Sequence, residues 1–129
     1  MDANENPSAQ TEAILSRIIG AAYEVSNVLG AGFLEKVYER ALVRELTLRG
    51  LDVKAQVPFP IAYKSEVLAD YIADLVVENQ ILVELKCVDA FAPEHMAVCI
   101  NYLKVSGLHI ALLINFKHPR VIWQRIVCS

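Results

Sequence analysis

Residues 71–88, YIADLVVENQILVELKCV, decide the fold. Two apolar runs flank the polar triplet Glu78-Asn79-Gln80, the pattern of two strands around a tight turn. Three ionisable groups interrupt the apolar pattern: Asp74, Glu84 and Lys86. Side chains alternate faces along a strand, so Glu84 and Lys86 share one face. A three-residue loop pairs Val77 with Ile81 and sets Asp74 directly opposite Glu84. Two carboxylates facing each other across a hairpin repel, and a bound cation is the usual reason to tolerate them. The stretch therefore predicts a hairpin that carries a metal site.

Upstream of the hairpin the pattern is helical. Residues 1–10 are polar and read as a disordered tail ahead of a single domain over 11–129. From Thr11, which could cap a helix, Ile14, Ile18, Ala21, Ala22, Val25, Val28 and Leu29 recur at helical spacing. Gly30-Ala31-Gly32 breaks that helix. A second spans Phe33 to Arg49, with Leu34, Val37, Tyr38, Ala41, Leu42 and Leu48 as its buried face and Gly50 as its end. Residues 52–63 suit an edge or irregular strand, because Pro58 and Pro60 cannot donate to a ladder.

Downstream, Asp89 to Pro93 is a loop and Pro93-Glu94 opens a third helix that stops at Gly107. Met96, Cys99, Ile100 and Leu103 give it a core face, widened by Val98, Tyr102 and Val105. His109 to Phe116 is nearly all apolar and fits a central strand. Arg120 to Val127 suits a last strand nearer an edge. The order α-α-β-β-β-α-β-β predicts an α/β (α+β) domain built on a mixed sheet flanked by helices.

Composition narrows the function classes. The chain has 129 residues, 55% of them hydrophobic, and a net charge of −3. Its mean hydropathy is +0.37 and its pI near 5.6. So much apolar material in a small domain points to a subunit interface and hence a homo-oligomer. The acidic balance argues against strong non-specific nucleic-acid binding, while leaving room for a local basic rim. Cys87, Cys99 and Cys128 lack metal-ligand spacing and read as buried thiols in a reducing cytoplasm. No apolar run is long enough for a membrane span, and no Walker loop, dinucleotide fingerprint or nucleophile elbow occurs. Lys36, Arg40 and Arg44 form a basic stripe that reads as a solvated helix face. His95, His109 and His118 are too dispersed to form a ligand cluster, and Trp123 reads as core or interface.

Asp74, nine intervening residues and then Glu84-Leu85-Lys86 resembles the bipartite signature of the PD-(D/E)XK nuclease superfamily. Gly32-Phe33-Leu34-Glu35-Lys36-Val37-Tyr38 further resembles the G-x-x-E-x-x-Y pattern that names a small bacterial family within it. The likeness runs through LGAGFLEKVYERAL, ADLVVE, ILVELK, NYLK and LLINF. Spacing alone reads Glu35 as a surface glutamate; the resemblance assigns it to the metal site. It implies that Glu35, Asp74, Glu84 and the carbonyl of Leu85 hold Mg²⁺ or Mn²⁺. Lys86 then orients the attacking water on a DNA or RNA phosphodiester. Tyr38 and Tyr102 read as packing residues with a hydroxyl at the cleft edge, and His95 on the third helix could face the cleft; these three are the candidate substrate contacts.

Where relatives tend to carry histidine, arginine and glutamine, this chain has Ser26, Ile72 and Val98. Those losses of polar groups favour a second expectation, a catalytically silent module that binds itself or a partner.

Overall fold

The computed structural model describes residues 8–128. In order they form α1 (Ala9–Leu29), α2 (Glu35–Leu48), β1 (Val53–Tyr63), β2 (Glu66–Val77), β3 (Ile81–Lys86), α3 (Pro93–Ser106), β4 (Ile110–Asn115) and β5 (Ile122–Val127). This is the predicted order. The strands make one sheet, β1-β2-β3-β4-β5, antiparallel except where β3 and β4 run parallel across the α3 crossover. The predicted register holds, with Val77 paired to Ile81.

Helices α1 and α2 cover one face and α3 the other. The first core joins Leu15, Ile18, Ala22 and Leu42 to Leu75, Val83 and Leu112. The second joins Cys99 and Leu103 to Tyr71, Leu82 and Leu113. Covered on both sides, β4 is buried along its whole length, which explains its unbroken apolar run. β1 is an edge strand, as its prolines require, with a register shift between Ile61 and Ala62.

Several local expectations change. Ser8, not Thr11, caps α1: its hydroxyl accepts from the Thr11 N–H, and Thr11 donates instead to Gln80 Oε1. Residues 8–10 thus belong to the helix and its cap, while 1–7 of the expected tail lie outside the described residues. On α1, Val28 is exposed and Ser26 is buried, its hydroxyl donating to the Pro119 carbonyl at 3.1 Å. The fully buried apolar stripe of α1 ends at Val25, and Leu29 still packs half-buried against the core. At α2, the N-cap Leu34 and the helical Val37 and Leu48 are exposed while Leu46 and Glu39 are buried. On α3, Val98 is exposed rather than widening the core face.

The long β1–β2 hairpin packs in two different ways along its length. Near the turn to β3, Val53, Leu75 and Val77 face α1 and α2. Farther out, Val57, Phe59, Tyr71 and Ala73 face α3. Plain alternation would keep residues 71, 73, 75 and 77 on one side, so the strands change sides in between. Pairing resumes in the same register across the changeover, Ala55 with Leu75 and Val57 with Ala73, and skips Gln56 and Asp74. Gln56 there has a left-handed φ of 54°.

Candidate active site

Asp74 sits at this changeover, where the β2–β3 ladder also ends: its last pair is Leu75 with Val83. One residue on, the two carboxylates take up backbone donors. The Asp74 N–H donates to Glu84 Oε2 at 2.9 Å, and the Leu85 N–H donates to Asp74 Oδ2 at 2.8 Å. The expected cross-strand partnership is therefore real, made through the side chains. Tyr71 adds a third donor, its hydroxyl bonding Glu84 Oε2 at 2.6 Å. The side change explains its reach. Three residues from Asp74, Tyr71 would point away from Glu84 in a regular strand.

The electrostatics are those of crowded acids. Burial pushes Glu84 up to about 7, and the Asp74 charge adds to the effect; the Tyr71 hydroxyl, the Asp74 N–H and Lys86 pull the other way. Asp74 is raised chiefly by burial, opposed by the Leu85 N–H, with the Glu39 charge adding to the rise. Glu35, in the first turn of α2, is solvent-exposed as a residue, yet its carboxyl end is partly desolvated. That desolvation raises it, with Asp74 contributing and Lys86 opposing. Glu35, Asp74, Glu84 and Lys86 thus act on one another across three elements. The Lys86 ammonium forms no hydrogen bond or ion pair with any described residue. A closed Asp–Lys–Glu ion-pair network is not what holds the site.

Sequence reasoning missed three neighbours. Glu39 is buried, and its carboxylate accepts from Lys36 Nζ at 3.0 Å and from Gln56 Nε2 at 3.1 Å. It braces the one β1 residue whose backbone reverses. Tyr71 is the third, sandwiched between Tyr102 at 3.3 Å and Phe59 at 6.2 Å between ring centroids. An unbranched reading of alternation hid both acids' partners; only a polar pair skipped in two strands at once, Gln56 and Asp74, would have signalled the joint.

The expected substrate contacts differ in their surroundings. Tyr38 is buried, stacked on Phe116 at 4.9 Å, and its hydroxyl donates to the Gly30 carbonyl at 2.6 Å while accepting from the Phe33 N–H. It fastens the α1–α2 connection. The His95 ring caps α3, Nδ1 accepting from the Ala92 N–H at 2.9 Å. Tyr102 is half-buried over Tyr71, its phenol raised by burial and by the Glu84 charge.

Among the described residues, no three Asp, Glu, His or Cys side chains converge into a set that would hold an ion as they stand. The donor chemistry fits a hard divalent cation all the same. Only one oxygen of Asp74 and one of Glu84 is taken up by described residues, leaving Oδ1 and Oε1 for another ligand. A cation there would also relieve three carboxylates whose charges are disfavoured together.

A model of the PD-(D/E)XK nuclease superfamily matches residues 12–126. Among solved structures, the protein titled SSO0001 superposes with a TM-score of 0.59 at 18% identity, over 73% of this chain and 50% of that one. The chain thus spans half the length of that protein. An alkaline exonuclease (LHK-Exo) from Laribacter hongkongensis gives a TM-score of 0.52 at 13% identity, over 92% of this chain and 82% of its own. Its complex with dAMP gives 0.56 at 12% identity, over 98% and 74%. At such identities these likenesses establish the fold. No curated protein matches the chain.

Proposed function

Because the chain belongs to the PD-(D/E)XK nuclease superfamily, we propose that it is a metal-dependent nuclease hydrolysing DNA or RNA phosphodiester bonds. The observation that carries this reading is the Asp74–Glu84 pair at the end of the β2–β3 ladder, with unpaired Lys86 two residues along. Glu35, Asp74, Glu84 and the Leu85 carbonyl are the proposed ligands of Mg²⁺ or Mn²⁺. When bound, such an ion lowers the pKa of water and polarises a phosphodiester. The Lys86 ammonium holds the attacking oxygen and offsets charge building on the phosphoryl group as the P–O bond to the leaving sugar breaks. Tyr71 and the Asp74 N–H keep the Glu84 carboxylate turned toward the same point. The G-x-x-E-x-x-Y subfamily and a reducing cytoplasmic setting, consistent with the unbridged thiols of Cys87 and Cys99, go with this proposal. No helix among the described residues is long and apolar enough to cross a membrane.

Calorimetric titration with Mg²⁺ or Mn²⁺ tests the site without knowledge of the substrate. Wild type should bind and Glu84→Ala should give no heat. In a nicking assay Lys86→Ala should keep metal binding and lose about a hundredfold or more in rate. Cleavage persisting in both Lys86→Ala and Asp74→Ala would assign the activity to a contaminant and sink the proposal.

Self-association is a second reading, favoured by Tyr63, Val67 and Leu68, all exposed at the outer end of the β1–β2 hairpin. Light scattering should then report an oligomer that Leu68→Asp dissociates. A monomer at all concentrations would refute it.

A further inference from the structure

An open cleft of about 640 Å³ lies between α1 and the β4–β5 connection, lined by Tyr23, His118, Arg120 and Trp123 among others. It lies at the same edge of the sheet as the end of β3, where Lys86 stands. β3 and β4 are parallel and Lys86 pairs with Asn115, so both strands end at one edge of the sheet. The Phe116 N–H donates to the Lys86 carbonyl at 3.0 Å, and the cleft loop begins at the next residue. Ligands of open α/β sheets gather at this carboxyl edge.

The cleft is held in shape from both sides. The Ser26 hydroxyl on α1 holds the Pro119 carbonyl, and the His118 ring meets the Asp89 carbonyl at 2.7 Å. Glu12 and Arg125 form a two-bond ion pair, at 2.7 and 2.8 Å, that ties the start of α1 to β5. Within this frame the recognition groups are left open. Arg120 is exposed and makes no hydrogen bond or ion pair with any described residue, and the Tyr23 hydroxyl has no partner either. Trp123 is 36% exposed on the edge strand β5, a large ring left partly in water. Lys117, at the start of the same loop, is exposed and lies 4.0 Å from Asp89, so Arg120 is the cation the cleft itself presents. Rings that stack and cations that meet phosphates are the two components of a single-strand binding groove. They also give an acidic chain a local basic face.

We propose that this cleft binds an unpaired nucleotide of the strand whose phosphodiester reaches the candidate active site: Trp123 and Tyr23 take the base, and Arg120 takes the phosphate. The substrate class is then single-stranded nucleic acid, since a base inside a duplex has no free face to offer. This inference rests on the nuclease proposal for its purpose but not for its test.

Trp123 is the sole tryptophan of the chain, so its fluorescence reports on the cleft directly. Octathymidylate is titrated into Lys86→Ala protein without divalent ions, where no cleavage intervenes. Saturable quenching is expected, weakened about tenfold or more by adding Arg120→Ala. The salt slope should fall by about 0.7 for the lost phosphate contact, with an unchanged melting curve because Arg120 is exposed and holds no hydrogen bond or ion pair with a described residue. In Mg²⁺, Arg120→Ala alone should raise KM for the single strand and leave kcat alone. Absence of quenching, or quenching unaltered in midpoint and salt slope by Arg120→Ala, overturns the proposal. So does equal binding of a blunt duplex of the same length, which would mean the backbone alone is recognised. Quenching without cleavage under any divalent ion would keep the cleft and remove the nuclease; cleavage with no quenching and an unmoved KM would do the reverse.

Discussion

The inner and outer halves of the β1–β2 hairpin are one continuous pair of strands with opposite lives. The inner half, around Val53, Leu75 and Val77, is packed against α1 and α2. The outer half turns Phe59 and Tyr71 to α3 and leaves Tyr63, Val67 and Leu68 exposed. Between them stand the two residues that belong to neither packing, Gln56 and Asp74. A ladder that changes sides must leave local backbone donors to be satisfied some other way. Here carboxylates meet that need, at the Asp74 and Leu85 N–H groups. The joint that makes the strand irregular is thus also what concentrates acid groups in one place.

The comparison breaks most visibly under truncation. Leu75→Ala removes a fully buried side chain of the inner half and should cost about 2–5 kcal/mol. Leu68→Ala, on the exposed outer half, should stay within about 0.5 kcal/mol of wild type. Urea unfolding measures both. Equal losses would mean that the outer half is covered in solution, which is the self-association reading.

Acidity tests the joint itself. In the metal-free protein Glu84 is raised to about 7 from 4.5, so the folded state holds that proton more tightly than the unfolded chain. The resulting stabilisation is complete below the unfolded value and lost as pH rises through the folded one. Between about pH 4.5 and 8 the metal-free protein should lose on the order of 3 kcal/mol. Glu84→Gln should flatten most of that slope. A remainder should belong to Asp74, raised for the same leading reason. Added Mg²⁺ should reverse the fall in wild type alone. A flat wild-type melting temperature across this range would show that the joint is hydrated rather than desolvated.

Local signals carried the fold. Prolines set β1 at the edge, the triplet 78–80 fixed the β2–β3 register, and Gly107 ended α3 in a left-handed cap. The acid pair followed from that register. What stayed hidden depended on distant partners. Ser26 is buried because Pro119, far along the chain, supplies a carbonyl, and Glu39 because Gln56 supplies an amide. Tyr71 reaches Glu84 only through the change of sides, which period-two reasoning excludes. Stripe logic likewise assigned Val28 and Leu34 to the core, since spacing alone does not say which residues the neighbouring elements cover.

The smallest expected effect probes why the change of sides occurs at Gln56. Its φ of 54° is costly for any residue with a Cβ and most costly for a β-branched one. Gln56→Gly gains freedom at that angle but loses the bond to Glu39 and orders a more flexible chain, so the terms nearly cancel. Gln56→Val loses the same bond and keeps the strain. The valine variant should therefore be about 1 kcal/mol less stable than the glycine variant. It should also bind Mg²⁺ more weakly, because a valine is best accommodated by a regular strand, which restores plain alternation and moves Asp74 away from Glu84. If both variants match in stability and metal affinity, the left-handed backbone at position 56 does not set the joint.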